Sequence, residues 1–229
     1  METSLHRQLK EHYAGSRARF EVSVEGFRID VVDGPRLIEI QHGGLSAIRD
    51  KVSRLLAAEH RVTVVKPIVA RKHLVKRSEL GGPVVDRRRS PKQGRVVDLF
   101  DELVHFTRVF PHRRLTLEVA MVEVEEIRRP GHGRRRRWRE SDFEVEDQRL
   151  LEVTEMHRFR YAGELARLIP GPLPGEFDTA DLAAAMELPR WRAQRVAYCL
   201  RHCGAAEVVG HRGRAVLYRW NRSARRHAA

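Results

Sequence analysis

Cysteine is almost missing from this chain of 229 residues: Cys199 and Cys203 are the only two. Two thiols build no disulfide framework, so a reducing, cytoplasmic setting is expected. No stretch approaches the roughly 18 consecutive apolar residues of a membrane span. The opening METSLHRQLKEHY is polar and charged, so neither a secretory signal nor a membrane partner is expected. A nucleotide-binding glycine loop is also missing, since Gly131-His132-Gly133 lacks the preceding strand and following helix that such a loop needs. Serines and histidines are scattered, and no strained nucleophile turn organises them.

What is present is positive charge. Lys and Arg number 44 against 31 Asp and Glu, a net charge of +13. With 41% hydrophobic residues the chain has ample material for a core. A balance this basic points to a polyanion, DNA or RNA first, although an Arg-rich solvated surface would also give it. The surplus is clustered, in Arg87-Arg88-Arg89-Ser90-Pro91-Lys92 and in the arginine run at 134–137 beside Trp138, which favours the polyanion. Arg88, Arg89 and Lys92 are the candidates for tracking a phosphate backbone.

The order of elements predicts an α/β fold. Thr3 or Ser4 can cap a first helix whose stripe is Leu5, Leu9 and Tyr13. Three short strands follow at 19–24, 27–32 and 36–42, separated by Glu25-Gly26 and by Asp33-Gly34-Pro35, which reads as a meander. Leu45, Ile48, Val52, Leu55 and Leu56 then share one helical face, and the β-branched run at 61–70 suits a buried central strand. Further strands are expected at 73–76 and 83–87, an amphipathic helix at 96–110, and a hairpin of 115–128 with 143–154. After residue 156 come a short helix at 161–168, a helix at 180–186 capped by Thr179, a turn at Leu188-Pro189, a longer helix at 191–203, and two strands around a basic tip at 210–213. Helix, turn, longer helix and two-stranded wing is the winged-helix pattern. The expected division is therefore 1–155 (a core of 1–75 with an extension of 76–155) and 156–229.

Asp30 and Glu39 are the residues that carry chemistry. Each is an acid inside an otherwise apolar strand, IDVV and LIEIQ, where burial is costly unless a positive group compensates. Glu39 and Gln41 are two apart on one strand and share a face. A divalent cation with hard oxygen ligands would satisfy both acids. The alternative is that they are surface charges on a half-exposed meander.

The spacing D-x8-E-x-Q within an αβββαβ order resembles the PD-(D/E)XK, restriction-endonuclease-like, nuclease superfamily over about residues 2–70. The chain as a whole, with LIEIQHGGLSAIRDK, RRRSPK and VAYCLRHCGAAEVVGHRGRAVLY, looks like a bacterial family of nuclease-like proteins. The resemblance implies that Asp30, Glu39 and the Ile40 carbonyl hold Mg²⁺ or Mn²⁺, which activates water for attack on a phosphodiester. The superfamily's usual lysine is here Gln41, which carries no charge; it would orient water or phosphate. Lys51 on the following helix would supply the missing cation, with Arg49 as the runner-up. Glu2 and Glu21 are weaker candidates for a third carboxylate.

The C-terminal pattern adds a DNA-binding end. Arg190, Arg192, Gln194 and Arg195 fall in the first two turns of the second helix, and Arg and Gln suit bidentate contacts with bases. Arg212 and Arg214, beside His211, would contact phosphates from the wing. A winged helix used for protein contacts is the alternative. Cys199, His202, Cys203 and His211 invite a zinc site, but Cys-x3-Cys on one helix reads better as small core cysteines. The expected function is a metal-dependent DNA endonuclease acting on duplex DNA in repair, recombination or defence. A non-catalytic DNA-binding regulator is the second reading, RNA binding a third, and homodimerisation is left open.

Overall fold

A computed structural model of the chain describes residues 3–131 and 142–221. Glu2, the arginine run at 134–137 and Trp138 lie outside the described residues. The fold is mixed α/β, built on a seven-stranded sheet in the order β1 (Arg19–Val24), β2 (Phe27–Asp33), β3 (Arg36–Ile40), β4 (Arg61–Arg77), β6 (Leu115–Pro130), β7 (Phe143–Phe159), with β5 (Val84–Arg89) paired to the far half of β4. No helix among the described residues is long and apolar enough to cross a membrane.

The first helix, α1 (Ser4–Tyr13), is capped by the Thr3 hydroxyl, which accepts from His6 N at 3.4 Å. β1 (Arg19–Val24) and β2 (Phe27–Asp33) pair antiparallel around Glu25-Gly26. Both turn residues have positive φ, 50° and 76°, as a type I′ hairpin requires. β3 (Arg36–Ile40) pairs antiparallel with β2 and parallel with β4 (Arg61–Arg77). The parallel crossover consists of a 3₁₀ turn at Leu45–Ile48 and α2 (Arg49–Ala57). β6 (Leu115–Pro130) lies parallel to β4, and β7 (Phe143–Phe159) closes the edge antiparallel.

Helices cover both faces of this sheet. Leu5 and Leu9 of α1 pack with Val31, Ile38, Ile40, Val65, Ala120 and Val122. Val52, Leu55 and Leu56 of α2 pack on the opposite face with Leu37, Val62, Val64, Leu117 and Val119. The second cluster continues without a break into the C-terminal part, through Phe100, Leu103, Leu165, Leu200 and Tyr218. That part consists of α4 (Thr179–Met186), α5 (Arg190–His202) and the hairpin β8 (Ala206–Arg212) with β9 (Ala215–Trp220).

Four local expectations are corrected. The strand expected at 73–76 is the continuation of β4, whose register against β6 shifts between Val69 and Arg71, so that the side-chain alternation restarts there. β5 runs Val84–Arg89, two residues beyond the expected end. The helix expected at 96–110 shrinks to a 3₁₀ turn at Val96–Asp98 and α3 (Leu99–Leu103). Beyond it, turns bury Phe106, Val109 and Phe110, because packing three bulky side chains outweighs the modest helix preference of a segment rich in β-branched and aromatic residues. Finally, Asp178 caps α4 in place of Thr179: its carboxylate accepts from Ala180 N at 2.6 Å and Asp181 N at 3.1 Å, and Asp181 returns the contact to Asp178 N.

Candidate functional site

The β2–β3 ladder runs from Asp33↔Arg36 to Val31↔Ile38. One more step places Asp30 across from Glu39. At that step the ladder opens, because Asp30 Oδ2 accepts from Ile40 N at 2.8 Å and so replaces a backbone carbonyl as partner. In an extended strand the N–H and C=O of one residue point the same way, so the Ile40 carbonyl is also turned towards β2. On the other side, Gln41 N donates to Val65 O at 2.8 Å and keeps β3 on β4. The opening lies between the two helical layers and receives a side chain from each.

From α1 comes His6, with Nε2 3.2 Å from Asp30 Oδ1. From α2 comes Lys51, with Nζ 2.6 Å from Glu39 Oε1 and 2.5 Å from the Arg28 carbonyl that accepts from it. Lys51 was the helix residue expected to supply the cation. Arg49, the runner-up, pairs with its neighbour Asp50 at 3.1 Å. Gln41 turns aside: its side-chain amide donates to Gly44 O at 2.9 Å and braces the turn after β3. Lys66, buried on β4, braces the same turn by donating to the carbonyls of His42 and Gly43.

Glu21 completes a transverse row. The β1–β2 register pairs Phe20 with Val31 and Val22 with Ile29, so Glu21 lies across from Asp30. Three acids on three neighbouring strands, Glu21, Asp30 and Glu39, thus stand in line. Glu21 adopts φ 57°, an uncommon conformation for a non-glycine residue within a strand, and its carboxylate is gripped by Lys10 and Arg28. An open cleft of about 580 Å³ at this point is lined by Thr3, His6, Glu21, Arg28, Asp30 and His42, with Gln148 from β7.

The electrostatics separate the two central acids. Burial pushes the Glu39 carboxyl up, to about 7, with the nearby charge of Asp30 adding to the effect and Lys51 opposing it. For Asp30, burial also acts upward, but the hydrogen bonds from His6 and Ile40 and the charge of Lys51 outweigh it and hold its pKa below the usual carboxylate range. Asp30 is therefore ionised at neutral pH, and Glu39 is poised between its two forms. Burial, then the positive charges of His6 and Lys66, lowers His42 to about 4, so its imidazole is neutral there.

Among the described residues no three His, Cys, Asp or Glu side chains stand close enough together to hold a metal ion by themselves. Asp30, Glu39 and the Ile40 carbonyl form a smaller set of hard oxygen donors. Glu39 is 4% exposed, and its Oε1 has the Lys51 ion pair but no hydrogen bond of acceptable geometry. Two carboxylates and a carbonyl are the hard oxygen donors that a divalent cation takes, with water completing its shell, and at Glu39 such a cation would share the carboxylate with Lys51.

The residues expected to meet nucleic acid divide into two groups. Arg88, Arg89, Lys92, Arg190, Gln194 and Arg214 are exposed. Arg192 is largely enclosed, with Nη2 2.6 Å from both Asp98 Oδ1 and Asp101 Oδ2, so it docks α5 against α3. Arg195 reaches Asp101 at 3.1 Å, and Arg212 reaches Asp178 and Asp181 at 3.4 and 3.3 Å. Cys199 and Cys203 are buried in the helical core, where burial pushes both thiols up, Cys203 to about 12, and the Cys199 thiol donates to Phe100 O. They pack as small apolar residues. His6, Lys10 and Arg28 were missed in the sequence, where the four-residue spacing of His6 and Lys10 on α1 was the one available signal.

A family model for a domain of unknown function, DUF8091, matches residues 3–160, which contain the whole row of acids and end just past β7. An uncharacterized protein of Treponema pallidum (strain Nichols) is 33% identical over 221 residues, covering 95% of this chain and 85% of that protein. No solved structure matches the chain. With more than two thirds of its length inside the family model, this chain belongs to the DUF8091 family.

Proposed function

We propose that this protein is a metal-dependent DNA endonuclease of the PD-(D/E)XK type carrying a C-terminal winged helix. The observation that carries the reading is the meeting of Asp30, Glu39 and Lys51 where the β2–β3 ladder opens. The order α1, β1, β2, β3, α2, β4, with the meander and the parallel β3/β4 pair, supports the core; α4, the turn, α5 and the β8–β9 hairpin support the wing.

Asp30, Glu39 and the Ile40 carbonyl would hold Mg²⁺ or Mn²⁺, and when bound the cation would supply Lewis-acid chemistry and ease the deprotonation of water. Lys51 keeps an ammonium at Glu39, in the lysine's place that Gln41 leaves empty, and offsets charge gathering on a phosphoryl oxygen. His6 fixes the orientation of the Asp30 carboxylate. Gln41 holds the turn, and Arg28, 75% exposed at the cleft mouth, meets the phosphate backbone. Arg88, Arg89, Lys92 and the wing residues Arg212 and Arg214 extend the same sequence-independent grip.

A second reading, a non-catalytic DNA-binding regulator, is favoured by the engagement of both Asp30 oxygens and by the Gln41 side chain turned to Gly44. The two separate when the chain is incubated with Mg²⁺ or Mn²⁺ and supercoiled, linear, branched and single-stranded DNA. Nicking that Asp30→Ala and Glu39→Ala abolish, with binding retained, is the expected result. Binding without cleavage of any of these substrates in either metal overturns the nuclease.

A further inference from the structure

The solvent face of α5 is centred on aromatic rings. Trp191 is 54% exposed and Tyr198 42%. Seven residues are nearly two turns, so the two rings share a side, about 10.5 Å apart along the axis at 1.5 Å per residue. Each ring has a partner one turn on: the Arg195 guanidinium lies 4.9 Å from the Trp191 centroid, and the His202 ring 4.1 Å from that of Tyr198. Arg190, Gln194 and Arg201 flank the strip and are exposed. The helix contains no acid from Arg190 to His202. Its opposite face, with Ala193, Val196, Ala197, Cys199 and Leu200, is buried, so the core requirement of the helix is already met.

A helix that reads a duplex presents Arg, Asn or Gln to base edges. On α5, Arg192 is committed to Asp98 and Asp101, and Arg195 is shared between Asp101 and the Trp191 ring. What remains at the centre is two half-exposed rings, each with its partner against one side and the rest of the ring open to solvent between arginines. Ring faces recognise bases by stacking, which requires bases whose own faces are open, and the flanking arginines attract the phosphates between them. We infer that the exposed face of α5 is a stacking platform for a single-stranded segment of DNA, with Trp191 and Tyr198 as the base-stacking positions and Arg190 and Arg201 on the backbone. The choice of DNA rests on the nuclease reading; the stacking itself needs neither the metal nor Asp30 and Glu39.

The test is a fluorescence titration of the full chain in EDTA, where cleavage plays no part. The chain has three tryptophans, and W138F/W220F leaves Trp191 alone to report. An oligothymidylate of about 20 nucleotides should quench that emission, and a blunt duplex of the same length should not. W191A/Y198A should weaken oligothymidylate binding about tenfold or more while leaving duplex binding within about twofold, and W191F/Y198F, which keeps the rings, should restore it. Far-UV circular dichroism checks that these substitutions leave the fold intact. Saturation by oligothymidylate with unchanged Trp191 emission overturns the platform, as does equal loss on single strand and duplex. Quenching that follows protein concentration without DNA assigns the strip to a second copy of the chain and also overturns it. Absence of nicking with stacking intact removes the nuclease reading and leaves the platform standing.

Discussion

Lys51 Nζ stands 2.6 Å from Glu39 Oε1, so α2 delivers an ammonium to the acid of β3 from which the neighbouring Gln41 side chain has turned away. Removing it should act on both stability and chemistry. Breaking a buried ion pair strands the remaining charge; with Lys51 18% exposed, Lys51→Met should cost about 2 kcal/mol in urea denaturation. If the chain cuts DNA, the same variant should lower the cleavage rate about 100-fold, the scale of losing one preorganised electrostatic group. Gln41→Ala should slow cleavage less than Lys51→Met does, and the reverse order would reassign the role.

The pH dependence of stability contains two opposing contributions. Glu39 is raised from 4.5 to about 7, so in that window the folded chain holds a proton that the unfolded chain has released. The stability supplied by the neutral acid is lost as pH rises through about 7. His42 is lowered from 6.5 to about 4, so in its window the unfolded chain holds the extra proton and stability is lost as pH falls. Each contribution is on the order of 3 kcal/mol, and the two cancel across most of their overlap. Glu39→Gln should therefore leave a profile that climbs with pH between about 4 and 6.5, and His42→Gln one that descends between about 4.5 and 7. Urea midpoints measured along a pH series would display the two slopes; identical profiles in both variants would contradict this balance.

Glu21 combines a left-handed backbone with an ion pair to Lys10 and Arg28. Glu21→Ala removes the pairing and keeps the strain. Glu21→Gly removes both, and glycine tolerates positive φ without penalty. The glycine variant should be more stable than the alanine variant by about 1 kcal/mol, read by thermal denaturation. An alanine variant as stable as the glycine one would show that the strand relaxes once the carboxylate is gone.

Arg192 should matter to the fold and Arg190 should not. The Arg192 guanidinium is held by two carboxylates at 2.6 Å with 19% exposure, so Arg192→Ala should destabilise by about 2–3 kcal/mol and Arg190→Ala by less than about 0.5. A double-mutant cycle with Asp101→Asn should return a coupling well above the scatter of additive sites. Additivity in that cycle would mean that the contact contributes little.

The meander was legible because its turns are written in residues that accept positive φ, Gly26 and Gly34, and because acids inside apolar strands stand out. The α/β class followed from the change of hydrophobic period after Gly44. The full extent of β4 was hidden, since the shift at Val69/Arg71 resets the alternation in mid-strand. His6 reaches Asp30 across 24 residues and Arg192 reaches Asp98 across 94, and contacts at that range depend on how layers pack, which local patterning does not encode. Asp178 and Thr179 were equally able to cap by type, and backbone direction decided between them.

The clamp of Asp98 and Asp101 on Arg192 has a mechanical meaning. With one continuous core beneath it, α5 is bolted to the sheet rather than tethered to it, and the span from its outer face to the opening between β2 and β3 is set by the fold. If the nuclease and stacking readings both hold, a break made at Asp30 and Glu39 would fall no nearer to a segment on α5 than the strand length needed to cross that fixed span.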